Sequence, residues 1–373
     1  MRQYFTFLLF FLAGTTIAQN RLTIVLDSLP NTLPGDSIFL AGSVNGWQPN
    51  QTKYLFQGKQ LMMELPSGEI EFKITRGSWE KVETNADGGS IKNRMLTIKR
   101  DTVVHVTIKN WKDSFDKGKP KSTASGQVHI LDSNFFMPAL NRFRRIWIYL
   151  PEKYDADRHT YFPVLYMQDG QNLFDASTAF AGEWGVDEFL DSTRLPPSIV
   201  VGIDNGGSHR MTEYNPYDHA AFGKGEGKAY VEFLVKTLKP MIDKNFRTLK
   251  EAQHTVIAGS SMGGLISMYA VMTHPKVFGV AGVFSPAFWV AGDQFMKDLK
   301  AKAQNMKGRV YLYGGGKEGK QMVPDMLKAD TLLKKYSKAE VKTKVKKTGQ
   351  HNEAEWQMQF PFFYRWMMKK GKG

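Results

Sequence analysis

Residues 255–272 constrain this chain more than any other stretch. A short β-branched run, Thr255-Val256-Ile257-Ala258, meets Gly259-Ser260-Ser261-Met262-Gly263-Gly264, and an apolar helical pattern follows. The spacing predicts a strand that stops, turns sharply and enters a helix, leaving the Ser261 hydroxyl at the tip of the turn. Glycine at 259 and 263 keeps Cβ atoms out of the crowded turn, and Gly264 lets the helix pack close to the sheet. Ser261 also falls at a helix N-terminus, where the dipole and free N–H groups favour developing negative charge.

A serine displayed in this way needs a base and an acid, and with such turns both follow it in the chain, acid before histidine. Of eight histidines, only His274 and His351 come after Ser261. His274 precedes Pro275 at the far end of the helix that Ser261 starts, which reads as a helix terminus. His351 lies in Thr348-Gly349-Gln350-His351-Asn352-Glu353, directly after a strand-like run, a loop position on a rigid scaffold. The acid should follow an earlier strand. Residues 309–313 form one, and Glu318 lies in the glycine-rich loop behind it. Asp325 and Asp330 compete for the role from a helical stretch at 322–335. In this arrangement Glu318 orients the imidazole, His351 takes the serine proton and Ser261 attacks a carbonyl. Oxyanion donors are expected from the Met262 amide and from the Gly170 and Gln171 amides, in the loop after the short strand at 163–167.

Strand-like runs at 127–131, 144–150, 163–167, 198–203, 255–258, 280–284, 309–313 and 341–346 alternate with helical stretches. They predict an α/β fold with a mostly parallel eight-stranded sheet covered on both faces. A closing helix over 355–370 should kink or break at Pro361. Before residue 113 the pattern is all β, with short runs at 21–26, 37–41, 53–56, 60–64, 69–75, 95–98 and 102–108, as in a small sandwich. Between the two, residues 114–126 are polar and charged with Gly and Pro, the composition of a linker. The expected division is therefore a leader at 1–18, a β-sandwich domain at 19–113, a linker at 114–126 and an α/β domain at 127–373.

The α/β half resembles the esterase D and feruloyl esterase group of α/β-hydrolases. The likeness rests on residues 166–174, on 202–205 with Arg210, Glu213 and Tyr214, on 259–264, on Ser285-Pro286-Ala287-Phe288-Trp289, and on Gly349-Gln350-His351-Asn352-Glu353. The resemblance implies Ser261, His351 and Glu318 as a triad without a cofactor, and suggests a substrate cleft near Trp289. Arg210 and Glu213 are expected to pair and hold a loop. Members of the group include feruloyl, acetyl-xylan and siderophore esterases and acyltransferases.

The first half resembles the starch-binding type of carbohydrate module, through residues 39–47, 71–74, Trp79 and Asn93-Arg94. In such modules two tryptophans stack on a sugar ring, and Trp47 and Trp79 fall at matching points. The loop at 83–91 is longer and more acidic than the module requires, which could rebuild or abolish the platform. Packing against the hydrolase half is the role expected first for this domain, and glycan binding through Trp47 and Trp79 is the alternative.

Met1-Arg2, an apolar core at 5–13 and Thr16-Ile17-Ala18 before Gln19 have the pattern of a signal peptide. Residues 5–13 are too few to span a bilayer, which takes about 20 apolar residues. The expectation is an exported protein, periplasmic or secreted, with no integral membrane segment in the mature chain. The chain has no cysteine, which removes thiol chemistry and disulfides. Lys and Arg number 50 against 36 Asp and Glu, a formal charge of +14. No recognition helix or aromatic–basic interleaving accompanies that charge, so nucleic acid is not an expected partner. The dispersed histidines offer no metal spacing. The expected partner is an ester substrate, with a polysaccharide as its candidate carrier. The leading expectation is an exported serine carboxylesterase acting on glycan-linked acyl or feruloyl esters. A periplasmic siderophore or lactone esterase is the alternative, and an acyltransferase or non-enzymatic glycan-binding protein stands for another class.

Overall fold

The computed structural model describes residues 19–30, 36–89, 91–115 and 121–369. The expected leader and part of the expected linker lie outside them. The chain divides into two compact units between Gly118 and Lys119.

The second unit is built on an eight-stranded sheet. Its strands are β1 (Val128–Met137), β2 (Arg142–Tyr149), β3 (Val164–Gln168), β4 (Ile199–Ile203), β5 (Thr255–Ser260), β6 (Val280–Phe284), β7 (Arg309–Gly315) and β8 (Glu340–Lys346). They lie in the order β8-β7-β6-β5-β3-β4-β2-β1. Neighbours from β8 to β4 are parallel, while β2 runs antiparallel to both β4 and β1. This is the mostly parallel sheet expected from the sequence.

The four inner strands β3 to β6 are buried at every position, because helices cover both faces and leave no solvated side. Period-two alternation sorts their side chains. Val164 and Tyr166 of β3 join one apolar cluster with helices Gly227–Phe233, Met262–Thr273 and Phe288–Lys302. Leu165 and Met167 join the other, with helix Glu353–Met367. Helix Met262–Thr273 is buried from Met262 to Met272, as its all-round apolar sequence requires.

Two expectations need correction here. Helix Glu353–Met367 continues through Pro361. Phe360, Phe363, Tyr364 and Met367 bury on the sheet there, which offsets the roughly 3 kcal/mol cost of an interior proline. Residues 122–125, read as linker, are tied to the second unit. The Ser122 and Thr123 hydroxyls donate to Asp175 and Glu183, and the Ser125 amide donates to Asp187 at 2.8 Å. Their polar composition suits these carboxylate partners as well as it suits water. Burial pushes the Asp187 carboxyl up to about 7.

A third correction concerns Arg210 and Glu213, which do not pair with each other. Glu213 is fully buried and accepts from Arg142 at 2.9 Å and Arg144 at 2.7 Å. Arg210 turns instead toward the loop after β3. Glu213→Ala should lower unfolding stability by about 3–5 kcal/mol, because the buried Arg144 loses its counter-charge. Urea denaturation measures this, and a loss below about 1 kcal/mol would mean that water screens the network.

In the first unit, Gln19–Ser28 lies between Gln60–Pro66 and Thr102–Thr107, pairing antiparallel with the former and parallel with the latter. A second sheet has Gly68–Thr75 between Phe39–Gly42 and Arg94–Ile98. Leu22, Ile24, Leu40, Phe72, Ile74, Val106 and Trp111 fill the core. Residues 53–56, expected as a strand, begin in a single 3₁₀ turn at Thr52–Tyr54. The turn buries the Tyr54 ring and brings its hydroxyl to the Val44 carbonyl at 2.8 Å. The acidic loop after Trp79 begins with a buried carboxylate. Glu83 is 1% exposed and accepts from Arg94 and from the Ile74 amide.

Candidate active site

Ser261 follows β5 at the entry to helix Met262–Thr273, with φ 58° and ψ −121°. A non-glycine residue rarely adopts positive φ unless its surroundings over-determine it. Here they do. The Ser261 amide donates to the Phe284 carbonyl at 2.9 Å, and its own carbonyl accepts from Ala287 at 3.0 Å. A Cβ on Gly259 would come within 2.8 Å of the Gly263 carbonyl carbon, and one on Gly264 within 3.0 Å of the Phe284 oxygen. The turn therefore has no room for a Cβ at 259 and little at 264. Ser260 is the last residue of β5 and is buried.

Glu318 and His351 are brought together across the ends of β7 and β8. Glu318 Oε2 lies 3.0 Å from His351 Nδ1. Its side chain is fully buried, whereas the imidazole is 37% exposed. The other carboxylate oxygen, Oε1, accepts from the Ser285 hydroxyl at 2.8 Å and the Gly315 amide at 2.6 Å. Asn352, next to His351, caps helix Glu353–Met367 by accepting from the Glu355 amide at 2.9 Å. The Trp356 indole meets the imidazole edge-on at 5.0 Å. The competitors are engaged elsewhere: Asp330 accepts from Lys334 and Thr343, and Asp325 sits in helix Met322–Tyr336. His274 ends the elbow helix, with Nδ1 2.9 Å from the Thr273 hydroxyl.

The loop after β3 borders the elbow. Asp169 takes a left-handed backbone, φ 57°, and opens a 3₁₀ turn over Gly170–Asn172. Its carboxylate receives two bonds from Arg210, at 2.7 and 2.9 Å, and one from Asn205 at 2.8 Å. Gln171 Oε1 accepts from the Asn205 amide at 3.2 Å. A Cβ on Gly263 would lie 3.2 Å from Asp169 Oδ2, which places this loop against the elbow. Burial disfavours the Arg210 charge, yet Asp169 overrides it and raises the guanidinium above its ordinary value. Burial, reinforced by the charge of Asp169, also lifts the Glu353 carboxyl. Met262 is the first residue of its helix, so its amide has no acceptor one turn earlier.

Trp289 is the second residue of helix Phe288–Lys302 and is 43% exposed. In the first unit, Trp47 and Trp79 are half-buried with ring centroids 6.3 Å apart and planes at 35°. The sequence does not single out the side chains of Asp169, Asn205, Ser285 and Trp356, which bond beside the candidate residues. The first three lie inside or beside motif segments, but their partners come from other strands and leave no local signal. Among the described residues, no group of three or more metal-ligating side chains is placed to hold an ion. No helix among them is long and apolar enough to cross a membrane.

Residues 137–366 match the family described as Putative esterase. The chain is 31% identical over 188 residues to the uncharacterized protein YbbA of Bacillus subtilis, covering 48% of this chain and 70% of YbbA. It is 27% identical to an endo-1,4-beta-xylanase/feruloyl esterase of Xylanibacter ruminicola, over 46% of this chain and 23% of that protein. It is also 27% identical to an iron(III) salmochelin esterase of Escherichia coli, over 62% of this chain and 53% of that protein. The fold resembles the BES protein of Bacillus cereus, with a TM-score of 0.56 at 17% identity over 68% of this chain and 99% of that one. With a match over more than half its length, the chain belongs to the Putative esterase family and is a carboxylic ester hydrolase.

Proposed function

We propose that this protein is an exported serine carboxylesterase that cleaves glycan-linked acyl or feruloyl esters, with Ser261, His351 and Glu318 as its triad. The observation that carries the assignment is the carboxylate–imidazole pair at 3.0 Å on the edge of the sheet where the strained Ser261 turn emerges. With Nδ1 turned to Glu318, His351 Nε2 is the nitrogen free to act as base. It takes the Ser261 proton as Oγ attacks the ester carbonyl. The oxyanion is met by the Met262 amide and by an amide of Gly170 or Gln171, each such donor being worth roughly 10²–10³ in rate. Collapse of the intermediate expels the alcohol, which leaves with the proton held by His351. Water then repeats the sequence on the acyl-enzyme and releases the acid.

The leader pattern at 1–18 supports export, and the similarity to a feruloyl esterase supports the substrate class. Trp289 forms a wall of the cleft, and Trp47 with Trp79 forms a sugar-stacking surface. A second reading, a siderophore lactone esterase, is favoured by the similarity to the salmochelin esterase over 62% of this chain.

A fluorophosphonate probe should label the wild-type protein. Turnover of methyl ferulate and acetylated xylan should exceed that of a catecholate trilactone; the reverse order would establish the second reading. The full-length protein should be retarded in starch, xylan or pectin gels, and replacing Trp47 and Trp79 with alanine should abolish retardation while p-nitrophenyl acetate turnover persists. No retardation of the wild type in any gel would remove the glycan role of the first unit.

A further inference from the structure

Glu318 has two oxygens and only one of them faces His351. What fixes the other is a pair of residues from different elements. Ser285, directly after β6, is fully buried and holds φ 44°. Its amide donates to the Tyr313 carbonyl of β7, and its hydroxyl lies 2.8 Å from Glu318 Oε1. The indole Nε1 of Trp356, one turn into the closing helix, lies 2.9 Å from the same hydroxyl oxygen.

The direction of each bond follows without sight of a hydrogen. An indole N–H can only donate, so Ser285 Oγ must accept from Trp356. The single hydroxyl proton then goes to the remaining partner, Glu318 Oε1, which as a carboxylate oxygen only accepts. The Gly315 amide adds a second donor at 2.6 Å. With Oε1 occupied twice, Oε2 is left to receive His351 Nδ1–H, and His351 Nε2 keeps its lone pair. Ser285 holds positive φ although it carries a side chain and lies outside the catalytic turn. Strain of this kind costs about 1–3 kcal/mol and gathers where a function over-determines the backbone.

We propose that Trp356 and Ser285 are positioning residues that act through Glu318 to set the tautomer of His351, so that the esterase depends on a five-part line running Trp356, Ser285, Glu318, His351, Ser261. The inference rests on the triad assigned above. It gives the tryptophan beyond His351 a task other than packing: its N–H orients a hydroxyl that a solvent-facing serine would leave free to rotate.

The test is a double-mutant cycle on the full-length enzyme with p-nitrophenyl acetate. Ser285→Ala keeps the Cβ and removes the hydroxyl. It should lower kcat by about 10–100-fold with KM within about twofold, because residues acting as a unit lose turnover and not binding. In a Glu318→Gln background the same change should cost less than about twofold, since its effect has no other route. Trp356→Phe keeps a ring in the core and removes the N–H, and should show the same dependence on Glu318. The downfield Nδ1–H proton resonance of His351 should be present in the wild type and lost in Ser285→Ala. Equal losses in both backgrounds, or a Ser285→Ala enzyme with wild-type kcat, would overturn the relay while leaving the triad intact. A silent Glu318→Gln change would overturn the triad acid, and the relay with it.

Discussion

Ser261→Ala should abolish turnover while the protein stays folded, with kcat falling roughly 10⁵–10⁶-fold, the scale on which a triad serine acts. No neighbour can substitute. Ser260 ends β5 with its side chain buried and off the tip of the turn. Ser260→Ala should therefore stay within about tenfold of wild type, a difference of about 1.4 kcal/mol. A second variant separates chemistry from backbone strain. At φ 58° the serine occupies a conformation that glycine adopts freely. Ser261→Gly should be as inactive as Ser261→Ala, yet more stable than it by about 1–3 kcal/mol, the strain released. Two equally inactive variants that differ in stability by the strain alone are what a site held under strain for function produces. Ester hydrolysis assays with thermal denaturation of both variants supply the check, and a Ser261→Ala enzyme within tenfold of wild type would remove the serine from the mechanism.

Glu318→Gln should cost about 10³–10⁴ in kcat, with little change in KM, as the loss of the corresponding carboxylate does in the serine triad template. The local geometry explains why an isostere fails. Two donors, the Ser285 hydroxyl and the Gly315 amide, converge on Oε1, so the glutamine keeps its carbonyl oxygen there and turns its NH₂ toward His351. A donor facing Nδ1 forces the ring proton onto Nε2, the nitrogen that must accept from Ser261. The wrong tautomer then predominates while the fold is unchanged. Asp325→Asn, in helix Met322–Tyr336, should stay within about twofold. If Asp325→Asn proved the damaging change and Glu318→Gln the silent one, the acid would have to be sought in that helix.

How much of this was legible beforehand differs by element. The elbow was readable because its requirements are local: a β-branched strand, glycines where a Cβ collides, and an apolar helix within eighteen residues of chain. That Glu318 and His351 sit in loops, each directly behind its own strand, was readable from the strand pattern. The inner strands of the sheet were readable because parallel strands buried on both faces are continuous apolar runs. The continuity of the helix through Pro361 was out of reach, since proline propensity is a local cost and the packing of Phe360, Phe363 and Tyr364 that outweighs it is not local. Residues 122–125 were misread for a related reason: serine and threonine look the same whether water or Asp175, Glu183 and Asp187 receives their hydrogen bonds. The pairing of Arg210 with Asp169 and of Glu213 with Arg142 and Arg144 was equally out of reach, because charge spacing along a chain says nothing about which strand end lies nearest.

The sequence by itself determined the family, the strand–helix alternation and the serine set at a turn, since these depend on short-range sterics and periodicity. Only the tertiary structure decided which oxygen of Glu318 faces His351, that Ser285 and Trp356 hold the other one, and that Asp169 is anchored by Arg210 and Asn205. Each of those contacts joins groups 33 to 71 residues apart. Hydrogen bonds act over about 3 Å, so only the adjacency of β3, β4, β6, β7 and β8 at one sheet edge could bring their donors and acceptors within reach.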